Sequence, residues 1–229
     1  MGVADRIEIV GTSAPQQIAD ALSGLILEGE LRPGERLSEA GLSRSLGLSR
    51  NTVREAVRLL QSSGLVRYTF NRGLTVWDPT DADVVDVFRA RLHVELAAAQ
   101  QLTPDTDLTA IHAAHAAYRS ALETSDPRTI VDADLALHRS IVGLLDCTRI
   151  ENFYAGLTNE LRYFLLFLSL DRHEYEHHDG VAAEHENLVD AFASGDPARA
   201  SAAVTAIVEE NRELVRSVIA HRNAGGSVS

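Results

Sequence analysis

The stretch LGLSRNTVREAVRLLQSSGLV, from Leu46 to Val66, constrains this chain more than any other. Val53, Ala56, Val57 and Leu60 recur at i, i+3, i+4 and i+7, the spacing that lines one face of an α-helix with apolar side chains. Ser49 stands where an N-cap belongs, and Gly47 and Gly64 bracket the segment with residues that accept a tight turn. On a helical wheel Asn51, Glu55 and Arg58 lie opposite the apolar stripe, Arg54 on the exposed side and Arg50 at the N-terminal shoulder. Such a helix buries one side in its own domain and shows the other, arginine-bearing side to something else.

The flanking residues define its setting. Ser13 and Pro15 open a helix whose apolar positions are Ile18, Leu22, Leu25 and Ile26, and Gly29 with Pro33-Gly34 stop it. Ser38 caps a second helix that uses Leu42 and Leu46. After Gly64, LVRYTF and LTVW are β-rich and separated by Asn71-Arg72-Gly73, which predicts a hairpin. Helix, helix, tight turn, helix, hairpin is the order of a winged helix-turn-helix. In that arrangement the third helix enters the DNA major groove. Its first turn, Ser49, Arg50, Asn51 and Thr52, offers backbone N–H groups and a helix dipole to phosphate. Arginine pairs bidentately with guanine, and asparagine with adenine. At the hairpin tip, Arg72 suits phosphate or the minor groove, and Gly73 lets the backbone come close.

Charge is divided accordingly. The chain has 229 residues and a net charge of -12, and all 21 of its basic residues are arginine. Residues 1–78 hold nine Arg and nine acidic residues, so the whole deficit lies in 79–229; within 32–72 eight Arg face three Glu. A polyanion is attracted to that window and repelled by the remainder. The alternative, a surface helix with merely solvated arginines, leaves the cap, the turn, the local charge and the wing unexplained together.

Beyond the Asp78-Pro79-Thr80 linker the pattern is helical throughout. Helices are expected at about 81–102, 105–124, 128–145, 149–170, 180–194 and 197–222. The apolar run YFLLFLSL (163–170) reads as buried helix rather than strand because of its length and position. The expected fold is therefore mainly α. A disordered lead (1–12) precedes a winged helix-turn-helix (13–78). An all-α antiparallel bundle (79–222) and a tail (223–229) follow. No apolar run approaches the roughly 20 residues that span a bilayer, and the single Cys147 suits a reducing compartment, so a cytoplasmic location is expected.

Two resemblances follow from quoted residues. ILEGELRPGERLSEAGLSRSLGLSRNTVREAVRLLQSSGLV, followed by RGLTV, resembles the N-terminal domain of GntR-type bacterial transcription regulators over about 16–77. The resemblance implies operator contacts from Ser49, Arg50, Asn51, Thr52, Arg54, Arg72 and Gly73. Ala40 and Asn51 depart from residues frequent at those places. DVFRARLHVELAAAQ, DADLALHRSIVGLL, EHENLVDAF and GDPARASAAV occur in the order found in the FCD effector domain of the FadR-like subfamily, over roughly 83–215.

The C-terminal chemistry is also legible directly. Asp134 and His138 are four apart and project from one helix face, and His185 lies on a later helix. A carboxylate with two imidazoles suits Zn, Ni or a similar divalent ion. An ordinary buried polar network is the competing reading. Many FCD domains complete such a set with a third histidine about twelve residues past the GD pair. Here that position is Ile207, so the resemblance implies a three-ligand, weakened or lost site, with His173, His177 and His178 nearby in sequence. Arg91 stands where similar domains often place an arginine near the ligand pocket, and its fork suits a carboxylate, although Glu95 one turn on offers it an ion pair. Arg162 with Asn159 is a second candidate anchor, with a helix-helix salt bridge as the equal alternative.

The expectation is a ligand-responsive, DNA-binding transcription regulator, most simply a repressor. It would bind a pseudo-palindromic operator in double-stranded DNA as a homodimer, with a small carboxylate as effector and no membrane partner. It is not expected to be an enzyme: neither GxGxxG nor a P-loop occurs, and H-E-x-x-H, spelled at 173–177, falls between the expected helices rather than on one. A metal-dependent enzyme with an accessory DNA-binding domain, and an effector-independent DNA-binding dimer with a vestigial pocket, are the alternatives.

Overall fold

The computed structural model describes residues 13–27, 30–124, 126–172 and 179–225. The expected lead (1–12), Gly29, His173, His177 and His178, and the last four residues of the tail lie outside them. Among the described residues the elements run α1 (Ala14–Leu27), α2 (Glu39–Leu46), α3 (Arg50–Ser62), β1 (Val66–Thr69), β2 (Gly73–Val76), α4 (Asp81–Gln100), α5 (Thr109–Leu122), α6 (Pro127–Val142), α7 (Thr148–Arg172), α8 (Asp179–Ala193) and α9 (Pro197–Gly225). Contacts divide the chain into two units, Met1–Asp78 and Pro79–Ser229.

In the first unit the helix ends are set by short polar side chains. Ser38 Oγ accepts the Gly41 N–H at 3.1 Å and starts α2. Gly47, at φ 65, turns the chain out of it, its N–H returning to Arg44. Ser49 Oγ then accepts the Thr52 N–H at 3.2 Å and starts α3. Each such cap contributes about 1 kcal/mol. Val53, Ala56, Val57 and Leu60 are fully buried, packed under α1, whose Ile18, Ala19, Leu22 and Ile26 complete the same core. β1 and β2 pair antiparallel, Val66 opposite Val76 and Thr69 opposite Gly73. The segment at 35–37 joins the outer side of β2 through Val76 N–H to Glu35 and Leu37 N–H to Leu74, both 2.9 Å. That third, short partner covers an edge which would otherwise expose unpaired backbone groups.

The second unit is all helical. Thr80 and Asp83 form a reciprocal capping box at the start of α4. Asp126 caps α6 ahead of Pro127 at its first turn. α4 packs mainly on α9, α5 on α6, α6 on α7 and α8 on α9. Arg216 of α9 grips Asp81 of α4 with two hydrogen bonds, 2.6 and 3.1 Å. The run at 163–170 lies within α7, buried at Tyr163, Phe164, Leu165, Leu166 and Leu168. α5 starts at Thr109 rather than 105. Thr106 Oγ1 accepts the Thr103 N–H and Asp107 accepts the Thr109 N–H, holding 103–108 as a turn. α6 ends at Val142, and a short 3₁₀ turn, Gly143–Leu145, follows it. No helix among the described residues is long and apolar enough to cross a membrane.

Candidate nucleic-acid face and buried polar site

The cap and stripe of α3 determine what it exposes. Arg50 and Asn51 lie exposed at its N-terminus, and Arg72 is exposed on the wing; none has a side-chain partner among the described residues. Ser49 and Thr52 are joined at 2.9 Å between hydroxyls, so each also holds the other in place. Arg54 is half-exposed and 3.8 Å from Glu39. Arg58 pairs with Glu55 at 2.5 Å, leaving it the least available of the arginine series. Gly73 adopts φ 77, a conformation that favours glycine, and opens β2. Glu39 was not singled out by the sequence. It accepts the Tyr68 hydroxyl at 2.7 Å while standing beside Arg54, and so ties β1 to the exposed side of α3.

In the second unit, α4, α6, α7 and α8 converge on one buried polar chain. Arg91, Glu95, His138 and His185 are all at most 1% exposed, and Asp134 7%. Glu95 is its hub: it accepts Arg91 Nε at 2.8 Å and the Tyr154 hydroxyl at 2.6 Å on Oε1, and His138 Nδ1 at 2.8 Å on Oε2. Burial pushes the Glu95 carboxyl upward, yet His138, Arg91 and Tyr154 outweigh it and hold it at about 2. An ionised Glu95 fixes the tautomer of His138: Nδ1 carries the proton, and the Nε2 lone pair points away from Glu95, 3.8 Å from Asp134 Oδ1. His185 is oriented similarly, its Nδ1 at 2.8 Å from the Val181 carbonyl and its Nε2 at 2.5 Å from Asp134 Oδ1. Its ring lies against Tyr118, centroids 4.4 Å apart.

One ligand atom from each of Asp134, His138 and His185 lies within 4.8 Å of the others. Among the described residues, Asp134 Oδ2 and His138 Nε2 are buried without a hydrogen-bond partner, as are both terminal nitrogens of Arg91. Buried polar atoms are rarely left this way, because each unmet one costs about 1–3 kcal/mol. The donor set therefore fits a divalent ion: two imidazole lone pairs and a carboxylate, each imidazole held through its far nitrogen. Arg91 is ion-paired with Glu95 through Nε, and its two terminal nitrogens have no hydrogen-bond partner among the described residues.

A cavity of about 40 Å³ opens beside the cluster. Its polar wall is Asp134 and His185 with Ser169 and Asn211, and the rest is mainly aliphatic. Ser169 and Asn211 have no hydrogen-bond partner among the described residues. Both escaped the sequence reading: nothing in local spacing marks them, although Asn211 lies one turn beyond Ile207, which is buried on α9. Arg162 is partly exposed, 2.6 Å from Asp132 and 3.3 Å from Asn159, and neither Arg162 nor Asn159 borders this cavity.

A winged helix with an arginine-lined recognition helix, joined to a helical unit enclosing a polar site, defines the class of DNA-binding transcription regulators with a ligand-sensing domain. Comparison with known proteins is specific. Residues 14–76 match the model described as bacterial regulatory proteins, gntR family, and residues 86–210 match the FCD domain. The chain belongs to the GntR family of bacterial transcription regulators and carries an FCD C-terminal domain. It is 33% identical over 91 residues to the uncharacterized HTH-type transcriptional regulator YdhC of Bacillus subtilis, a match spanning 40% of this chain and 41% of that protein. It is 27% identical over 196 residues to the probable D-xylose utilization operon transcriptional repressor of Paenarthrobacter nicotinovorans, covering 85% of each. The crystal structure of a GntR transcriptional regulator from Rhodococcus sp. RHA1 superposes with a TM-score of 0.70 at 28% identity, over 89% of this chain and 98% of that one.

Proposed function

We propose that the chain is an operator-binding repressor that acts as a homodimer in the cytoplasm and responds to a small carboxylate effector. Ser49, Arg50, Asn51, Thr52 and Arg54 read the major groove, and Arg72 with Gly73 grips the adjacent minor groove or its phosphates. Two-fold symmetry of the dimer gives a pseudo-palindromic operator. The description of the Paenarthrobacter relative supports repression as the direction of control.

Asp134, His138 and His185 hold a divalent ion such as Zn or Ni, with Ile207 leaving one coordination position to water or effector. The ion, when bound, supplies a positive charge and open positions for a carboxylate. Glu95 orients His138, Val181 orients His185, and Arg91 presents its free fork to the anion. The observation that carries this reading is the set of buried, unpartnered atoms: Asp134 Oδ2, His138 Nε2 and the two Arg91 terminal nitrogens. A vestigial pocket, which Ile207 favours, would have no reason to keep them unpaired. No catalytic step is assigned to the chain. The groups of the cluster are arranged to hold and sense rather than to transform.

Metal analysis before and after chelator, together with a mobility shift on the chain's own upstream region in the presence of candidate organic acids, tests the proposal. His138→Ala should lower metal content and effector response while DNA binding without effector stays near wild type. Arg54→Ala should weaken operator binding by about 1–3 kcal/mol if its contact is bidentate to a base. Metal-free protein whose DNA binding responds normally to the acids would refute the metal's role, and unchanged binding by Arg54→Ala would refute the docking.

A further inference from the structure

Among the described residues of the first unit, Phe70 is the large apolar side chain its fold uses least. It is 90% exposed, against 61% for Tyr68, the next most exposed large hydrophobic residue. It occupies the hairpin's apex. Arg72 N–H donates to the Thr69 carbonyl at 3.1 Å and Asn71 adopts φ 61, so Phe70 and Asn71 are the two central residues of a tight turn. A turn of this kind needs a residue with φ above zero at Asn71 and asks for no aromatic ring before it. Neither strand pairing, which ends at Thr69 opposite Gly73, nor the core requires Phe70.

The tip is also held in place. Thr69 and Thr75 hydroxyls meet at 2.9 Å across the hairpin, and Tyr68 is pinned to Glu39 at 2.7 Å. Glu39 stands beside Arg54, so the strand that leads into the Phe70 turn is fastened on the exposed side of the recognition helix. Its surroundings are cationic: Arg72 is two residues away, and the window 32–72 has eight Arg to three Glu. A lone exposed ring two residues from Arg72 is too small for a protein partner, which needs about 800 Å² per side. It does match the wedges with which DNA-bending proteins part base steps from the minor groove.

We propose that Phe70 is an apolar wedge which enters the minor groove at the edge of the operator half-site and partly unstacks a base step. The inference rests on the DNA-binding reading above and adds to it a contact that is not electrostatic. Because the turn is preformed, little ordering remains when the ring inserts. Sequence preference at the wedged step then comes from how readily it unstacks, with flexible pyrimidine-purine steps favoured.

The test uses full-length protein and a duplex it selects from a random-sequence pool. Phe70→Ala, an exposed change, should leave the thermal midpoint unchanged and weaken binding roughly tenfold at fixed salt. The slope of log affinity against log salt should stay the same, since no phosphate contact is lost, whereas Arg72→Ala should reduce it by about one. Phe70→Leu should retain most of the affinity. Scanned through the outer part of the half-site, 2-aminopurine should brighten at one step with wild type and not with Phe70→Ala. Wild-type affinity and fluorescence for Phe70→Ala, while Arg50→Ala fails to bind, would overturn the wedge alone. If the wild-type protein selects no duplex, the DNA-binding reading falls and the wedge with it. A change in oligomeric mass with DNA affinity intact would also overturn the proposal, marking the ring as a protein contact.

Discussion

His185 can donate from both ring nitrogens only while protonated, with Nδ1 toward the Val181 carbonyl and Nε2 toward Asp134. Burial alone would lower its pKa, but the hydrogen bond and charge of Asp134 raise it above the ordinary 6.5. Asp134 is shifted the opposite way: burial pushes it up, and the histidines and Arg91 pull it well below its ordinary value. In the metal-free protein the pair's contribution from His185 is therefore complete below about pH 6.5 and disappears as pH rises through the raised pKa. That from Asp134 is complete above about 3.8 and disappears as pH falls through its lowered value. An ion bound by Nε2 must displace that proton. Apparent metal affinity should thus rise with pH up to the raised pKa of His185, with up to one proton released per ion below it. Calorimetric titration with Zn or Ni in two buffers of different ionisation enthalpy measures it, and metal uptake without proton release would refute the pairing. At this scale Asp134 and His138 were legible as a pair from helical spacing and residue type, whereas the bond that brings in His185 spans 51 positions. Glu95 was legible only as a partner for Arg91. Its bonds to His138 and Tyr154 join residues 43 and 59 positions away, which no local pattern encodes. Arg162 had two equal readings, a ligand anchor and a helix-helix salt bridge, and its guanidinium lies 2.6 Å from Asp132 of α6.

Whole elements were read more reliably than their ends. The apolar stripe of α3 is a period signal and the β-rich runs on either side of Asn71-Arg72-Gly73 are a composition signal, and both survive errors in neighbouring residues. Ends depend on single side-chain bonds, such as those of Thr106 and Asp107 that delay α5. Glycine also marks ends, with unequal consequences. Gly47 and Gly195 both have positive φ, 65 and 67. A Cβ on Gly47 would meet nothing within 4 Å, whereas one on Gly195 would lie 2.9 Å from Pro104 Cα. The α8–α9 turn is thus pressed against the 103–108 turn, and the two must move together. Gly47→Ala should cost about 1–2 kcal/mol, the left-handed penalty alone. Gly195→Ala should cost more, because backbone has to shift as well. Thermal melts of the two variants decide this, and equal midpoints would mean that the Pro104 contact gives way freely.

At the scale of the molecule, the division of charge is the feature the sequence states most plainly, since counting requires no knowledge of structure. The linker is legible for a related reason: Pro79 cannot continue a strand, and Thr80 caps the next helix. Binding energy for a duplex must then come from the arginine window, while the -12 carried by 79–229 opposes it. If the helical unit supplies the dimer interface, its benefit is to present two windows to one operator and so outweigh its own repulsion. A fragment of residues 1–78 keeps its core and its arginines but presents one window. Its affinity should fall steeply, and the slope of log affinity against log salt should drop to about half that of the full chain, as half the phosphate contacts are lost. The complementary fragment, 79–229, should bind metal as the full chain does and no duplex. Fluorescence anisotropy over a series of salt concentrations measures both. Equal slopes for the head and the full chain would mean that one window makes all the phosphate contacts and that pairing contributes nothing to operator binding.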